Sequence, residues 1–246
     1  MRQFRAISVV EIKLALREPF AVFFALAFPI LLVLMFGAAF GNFPASPGFR
    51  VSDVSVPSTI ALVGAYLGFM GIPIVFAEYR EMGVLRRFRV SPLSMATLFA
   101  AHIVAQLMLL VTATVLVIIV TASVFGLRFG GNIFVFVAVL TLCVFALFAV
   151  GFALAGRVSS SRAAQGLGSM VFFPLLFTSG AAVPRSQFPP WLQEATEWLP
   201  LTRVVESLEA SWIGAPVDGQ FIISLLAFAA IGLAALALTR RTFRWE

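Results

Sequence analysis

The hydrophobic positions of this 246-residue chain fall into six long stretches, none of which contains a charged side chain. A bilayer core about 30 Å thick needs roughly 20 apolar residues in one helix, and each stretch is long enough to supply them. The pattern therefore predicts an all-α membrane protein with six transmembrane helices. The predicted spans are 20–41, 56–77, 97–125, 131–156, 163–184 and 219–239.

Composition supports the same class of protein. Hydrophobic residues make up 61% of the chain and charged residues 11%, whereas a soluble domain carries about 25% charged residues. The sequence pI is near 11, which we attribute to cationic loops held against an anionic membrane surface rather than to nucleic-acid binding. Cys143 is the single cysteine, so no intrachain disulfide can form.

The cationic side chains gather at alternate ends of the predicted spans. With both termini in the cytoplasm, 13 of the 17 lysines and arginines lie on the cytoplasmic side. This bias predicts that orientation, because positive charge is retained inside. A cleavable signal peptide is the alternative for the N-terminus. Glu11, Glu18 and the length of the first apolar stretch argue against it.

Two regions outside the spans have amphipathic patterns. Residues 1–18 are expected to form an interfacial helix on the membrane surface, and residues 185–218 an extracytoplasmic hairpin or cap of two short helices between spans five and six. The apolar stripe of the first region is Phe4, Ile7, Val10 and Leu14. In the second region, Trp191, Ala195, Trp198 and Leu199 share one face of the first short helix, and Val204, Val205, Leu208 and Trp212 share one face of the second.

A short loop at 78–92 carries the densest charge in the chain, between the second and third predicted spans. Basic cytoplasmic loops are ordinary topology signals. This one also contains two acids, a glycine and apolar residues between its arginines, a pattern typical of a docking helix. We therefore predict a cytoplasmic coupling helix for a soluble partner. Its candidate residues are Glu78, Arg80, Glu81, Gly83, Arg86 and Arg87.

Catalytic chemistry is largely excluded by the residues present. The chain has one histidine, His102, and one lysine, Lys13. Lys13 lacks the glycines of a phosphate-binding loop, and one histidine cannot supply a His-Glu-x2-His zinc site. We predict no catalytic and no metal-binding residues. His102 and Gln106 share a helix face, where they form either a helix–helix hydrogen bond or a polar spot in a transport path.

Proline and glycine mark special positions within the spans. Pro29, Pro73 and Pro174 are expected to kink their helices, either for gating or as ordinary structure. Gly64 and Gly68 allow a close approach of two backbones, within one subunit or between two.

A transport path would be lined by aromatic side chains, since the chain has 27 phenylalanines. The alternative is that these rings face lipid. No acidic residue lies within the predicted spans, which argues against a proton- or sodium-coupled carrier. The candidate path residues are Phe69, Met70, Phe172, Phe173 and Phe177.

Several short motifs, in this order, resemble the type 2 permeases of ATP-binding-cassette exporters over nearly the full chain. They are Leu16-Arg17-Glu18-Pro19-Phe20, the loop motif at 78–87, Ser91-Pro92-Leu93, and the outer elements at 180–184, 188–192 and 199–202. The outer pattern is most similar to drug-resistance permeases of the daunorubicin type.

The resemblance implies a bacterial inner-membrane subunit that exports a hydrophobic or amphipathic compound by alternating access. It implies a second permease, expected to be a second copy, and two copies of a cytoplasmic ABC ATPase, which would bind ATP and Mg. This chain would hold no cofactor and would contact lipid but no nucleic acid. Polysaccharide, glycolipid or sodium export on the same scaffold is an alternative, as is a membrane anchor or assembly protein without a transport path.

Overall fold

The computed structural model describes residues 2–89 and 95–242, and within them the chain is almost entirely helical. A two-stranded hairpin, β1 (Pro44–Ser46) and β2 (Phe49–Arg50), departs from the all-α prediction. The helices are α1 (Arg2–Arg17), α2 (Pro19–Phe40), α3 (Val51–Glu81), α4 (Val84–Arg89), α5 (Met95–Phe125), α6 (Ile133–Ala155), α7 (Ser161–Thr178), α8 (Pro190–Thr196), α9 (Pro200–Ile213) and α10 (Gly219–Thr242).

Five helices among the described residues are long and apolar enough to cross a membrane: α2, α3, α5, α6 and α10. The fifth predicted span, 163–184, is not confirmed. Its helix, α7, ends at Thr178, just before Gly180 adopts a positive φ of 89°. Arg162 and Gln165 lie in its first turns, and these polar groups lower its hydropathy.

The second predicted span is longer than 56–77, because α3 begins at Val51 and continues to Glu81. Asp53 caps its start by accepting the backbone N–H of Arg50 at 2.8 Å. The predicted coupling segment is therefore divided. Residues 78–81 end α3, Gly83 turns the chain with a φ of 67°, and α4 follows. Residues 90–92 lie outside the described residues.

Wider π-helical turns precede two of the three prolines that were expected to kink their helices. They cover Phe23–Ala27 and Leu67–Gly71, ahead of Pro29 and Pro73. A proline ring occupies the space of a normal helical hydrogen bond, and a π turn is one way to accommodate that loss. Pro174 lies inside α7 without such a turn.

Helix α3 is the centre of the bundle. In its most apolar window 83% of the residues are buried, against 22% in α2 and in α10. Gly64 and Gly68 face α6, since a Cβ at Gly68 would lie 2.8 Å from the carbonyl oxygen of Leu147. Gly151 of α6 also lies against Gly68. Gly64 and Gly68 therefore pack against a helix of the same subunit.

Candidate functional site: a coupling loop and two cavities

The polar contacts of the chain gather at two opposite ends of the bundle. At one end Asp53, fully buried, also accepts the backbone N–H of Arg128 at 2.9 Å. The Arg50 guanidinium donates to the carbonyl of Phe125 at 2.9 Å. Trp212 donates its ring N–H to the carbonyl of Arg128 at 3.0 Å. The segments predicted to lie outside the cell therefore meet at this end.

The predicted coupling residues lie at the other end, where two of them hold the end of α3 in place. Arg80 donates to the carbonyls of Ala155, at 3.2 Å, and Val158. Glu81 accepts a hydrogen bond from the Ser161 hydroxyl at 2.6 Å. Arg80 and Glu81 thus connect α3 to the turn between α6 and α7.

The other predicted coupling residues are divided between an exposed surface and a cavity. Arg86 and Arg87 are exposed on α4, while Leu85 between α3 and these arginines is buried and fixes the short helix to the bundle. Glu78 is half-buried and lines a cavity at this end of the bundle. A short helix with an apolar anchor and a cationic outer face is an arrangement suited to docking.

A buried hydrogen-bonded network joins this end of α3 to α1 and α5. One Glu11 carboxylate oxygen accepts the Tyr79 hydroxyl at 2.6 Å, and the other lies 2.8 Å from Nδ1 of His102. Nε2 of His102 lies 3.0 Å from Nε2 of Gln106. His102 is therefore engaged in both an intrahelical and a helix–helix hydrogen bond, as one of the two interpretations of its sequence predicts.

Glu11 is a functional candidate that the sequence pattern did not reveal. The buried face of α1 carries Ile7, Ser8 and Glu11, while Val10 and Leu14 of the predicted stripe are 54% and 45% exposed. The helix is confirmed, but its place on a membrane surface is not. Glu11 lies four positions after Ile7 and therefore on the same face of the helix. A charged residue on that face is the sequence signal that could have indicated a buried partner.

The network predicts that substitutions of the two tyrosines differ in their effect on the stability of the protein. Tyr79→Phe removes the hydroxyl bonded to buried Glu11, and we expect a loss of about 1–3 kcal/mol of unfolding free energy. Tyr66→Phe is the matched control, because the Tyr66 hydroxyl has no hydrogen-bond partner among the described residues. Thermal unfolding of the purified variants in detergent measures both. Equal stability of the two variants would contradict the network.

A cavity of about 570 Å³ lies between α1, α3 and α5. We call it the inner cavity, because it lies at the end of the bundle that is predicted to be cytoplasmic. Both tyrosines of the chain and its only histidine line it. None of the five predicted path residues does. Phe69, Met70 and Phe172 are buried where α3 meets α7, and Phe173 and Phe177 are 39% and 59% exposed. Their role in a path stays a prediction.

The two short helices α8 and α9 lie within the region that the pattern predicts, but they bury different amounts of their apolar faces. In α9, Val204, Leu208 and Trp212 are buried against the bundle. In α8 and just after it, Trp191 and Trp198 are 68% and 78% exposed, as expected of tryptophans at a membrane–water boundary.

A second cavity, of about 640 Å³, lies between α8, α9 and the start of α10. We call it the outer cavity, because it lies at the end of the bundle that is predicted to be extracytoplasmic. Arg203 bridges Glu197 at 2.8 Å and Glu206 at 3.1 Å, and Arg185 also pairs with Glu206. Glu209 at the cavity wall accepts a hydrogen bond from the Ser58 hydroxyl. Burial raises the pKa of Glu209 to about 7, although the Ser58 bond and Arg185 partly oppose that rise.

This raised pKa predicts a pH-dependent stability. Between the ordinary carboxyl pKa and about 7, the folded protein holds a proton on Glu209 that the unfolded chain has released. Stability is therefore expected to fall as the pH rises through this window. Unfolding of wild type and Glu209→Gln, compared from pH 4 to pH 8, isolates the effect. Parallel curves for the two proteins would contradict the assignment.

Comparisons with known proteins agree on one family. The family model for ABC-2 type transporters matches residues 2–213. The chain is 24% identical over 209 residues to a probable doxorubicin resistance ABC transporter permease, DrrC, of Mycobacterium tuberculosis, covering 84% of this chain and 75% of that protein. It is 26% identical over 220 residues to the putative transport permease ycf38 of Porphyra purpurea, covering 85% and 73%.

A further relative is matched over a shorter region. The probable multidrug ABC transporter permease YbhR of Escherichia coli is 28% identical over 146 residues. The match covers 58% of this chain and 39% of that protein, so the chain spans about two fifths of the length of this relative.

Proposed function

The chain belongs to the ABC-2 type transporter family, and from this premise we propose that it is the membrane subunit of an ATP-driven exporter of hydrophobic or amphipathic compounds. The names of two relatives, a doxorubicin resistance permease and a multidrug permease, support a drug-like or lipid-like cargo. The five apolar helices support a multi-pass membrane location. The bacterial inner membrane, with both termini in the cytoplasm, is part of the proposal.

A separate cytoplasmic ATPase, present in two copies, would bind ATP and Mg. The observation that carries this proposal is the pair Arg86 and Arg87, exposed on a helix whose Leu85 is buried. A protein that presses on α4 would move the end of α3 as well. Because Arg80 and Glu81 connect that end to α6 and α7, the movement would reach both sides of the bundle and drive alternating access.

A second permease, a copy of this chain, would complete the translocation path. Exposed apolar side chains cover α2, α7 and α10, including Met35, Met170 and Leu226. Lipid and a partner subunit would share these surfaces. The predicted path residues Phe173 and Phe177, which are exposed on α7, would then face the second copy rather than a cavity within one subunit.

Reconstitution tests the export function. The permease is co-expressed with a tagged ABC ATPase from its own operon, and both are reconstituted into vesicles with the ATP-binding side outward. We expect the two to copurify and to accumulate doxorubicin only when ATP is present. Copurification without ATP-dependent uptake of doxorubicin, lipid or glycan would contradict export, and failure to copurify with any ATPase would contradict the assembly.

A further inference from the structure

The inner cavity contains an unused hydrogen-bond acceptor. Nδ1 of His102 lies 2.8 Å from the Glu11 carboxylate, and the Gln106 amide nitrogen lies 3.0 Å from Nε2 of His102. This arrangement leaves the Gln106 Oε1 free. That oxygen is buried and has no partner, while Gln106 as a whole is 4% exposed and lines the cavity. An unpaired buried acceptor is costly unless a ligand satisfies it.

The charges around the cavity favour a cation. Three carboxylates line it, Glu11, Glu18 and Glu78, against one guanidinium, Arg17. Glu11 is already paired with His102 and Tyr79. Glu18 and Glu78 have no ion-pair partner among the described residues. An ammonium group can donate to such oxygens and is also attracted to aromatic faces.

The rest of the lining is aromatic or apolar. The Tyr66 ring and the side chains of Leu67, Val75, Leu98 and Leu109 surround the deeper part of the cavity. The size of about 570 Å³ is within the range of small-molecule sites. The lining thus combines an excess of carboxylates over cations with a hydrophobic wall.

We propose that this cavity binds an organic ammonium group attached to an apolar body, with Gln106 Oε1 and the Glu78 carboxylate as its acceptors. The ligand is either a soluble amphipathic amine or the headgroup of an aminolipid from the membrane. Binding requires neither ATP nor the partner ATPase, so it can be measured whether or not the proposed export function holds. In an exporter, the same site would select amines among amphipathic cargoes.

Photolabelling tests the site in the full-length permease in phosphatidylglycerol vesicles. Three probes share one alkyl chain with a diazirine and end in a primary amine, an alcohol or a carboxylate. We expect the amine probe to label peptides of α1, α3 and α5 about tenfold more than the alcohol and carboxylate probes do. This factor corresponds to the loss of one hydrogen bond to a charged group. Equal labelling by the three probes overturns the proposal.

Variants identify the acceptors. Gln106→Leu and Glu78→Gln are each expected to lower amine labelling about tenfold, whereas Gln106→Glu retains an acceptor and its labelling. Glu194→Gln, at the outer cavity, is the matched control. If Gln106→Leu does not fold, Glu78→Gln decides alone. Unchanged labelling in the folded variants overturns the proposal.

Vesicles of a second composition separate the two sources of the ammonium group. If phosphatidylethanolamine replaces phosphatidylglycerol and labelling falls, the aminolipid occupies the cavity. If labelling is retained, the occupant is a soluble amphipathic amine. Both results support the ammonium site and assign its occupant.

Discussion

Reversing both charges on α4, in the double variant Arg86→Glu and Arg87→Glu, is expected to abolish ATP-dependent transport and to lower copurification of the ATPase at least tenfold. The two guanidiniums are exposed, and reversing charges in an interface replaces attraction by like-charge repulsion of several kcal/mol. Folding should be preserved, because Leu85 still anchors the helix. The measurements are ATPase pull-down, ATPase rate and vesicle uptake.

The chain offers a matched control for this variant. Arg240 and Arg241 are also adjacent, exposed arginines, located at the end of α10. The double reversal Arg240→Glu and Arg241→Glu changes the net charge equally but leaves α4 intact. We expect it to retain ATPase binding. If both double variants lose the ATPase to the same extent, general charge and not α4 governs the association.

Gly151→Ala is expected to cause a large loss of stability. Its Cβ would lie 2.1 Å from the backbone carbonyl oxygen of Gly68, and a backbone atom cannot rotate away. Helices α3 and α6 would have to separate, at a cost of about 3 kcal/mol, the upper part of the range for overpacking. Thermal unfolding in detergent should show a clear fall in the transition temperature.

Gly166→Ala serves as the control for this substitution. Gly166 is also within a helix, but its Cβ would meet no atom within 4 Å. Replacing a helical glycine by alanine in open space stabilises by about 0.5–1 kcal/mol. The two alanine variants should therefore change stability in opposite directions. Equal effects would mean that α3 and α6 do not approach at Gly68 and Gly151.

Spanning helices were predictable because they depend mainly on local hydropathy. Five of the six predicted spans match long apolar helices. The amphipathic pattern located the short helices α8 and α9, although α8 ends at Thr196, earlier than predicted. The fifth span, 163–184, was not confirmed, since the small and polar residues at the start of α7 make its hydropathy low. The prediction used only the length of the stretch without charged residues, so it did not take this low hydropathy into account.

The candidate site was only partly predictable. Charge density in the sequence indicated the loop that contains Arg86 and Arg87, and these two are exposed. The same density did not reveal that Arg80 and Glu81 bind the turn between α6 and α7. Nor did it reveal Glu11, whose partners Tyr79 and His102 are 68 and 91 positions away. Contacts at such separations have no local signal.

The amino-acid sequence by itself determined the class of the protein, because apolar length, charge bias and ordered motifs are properties of the chain that need no contact between distant residues. Only the tertiary structure decided which polar groups meet. It placed the single histidine and both tyrosines around one cavity, and it separated the charged loop into residues that hold the bundle together and residues that face outward. Burial and hydrogen bonding across helices, which assign those roles, exist only after the helices pack.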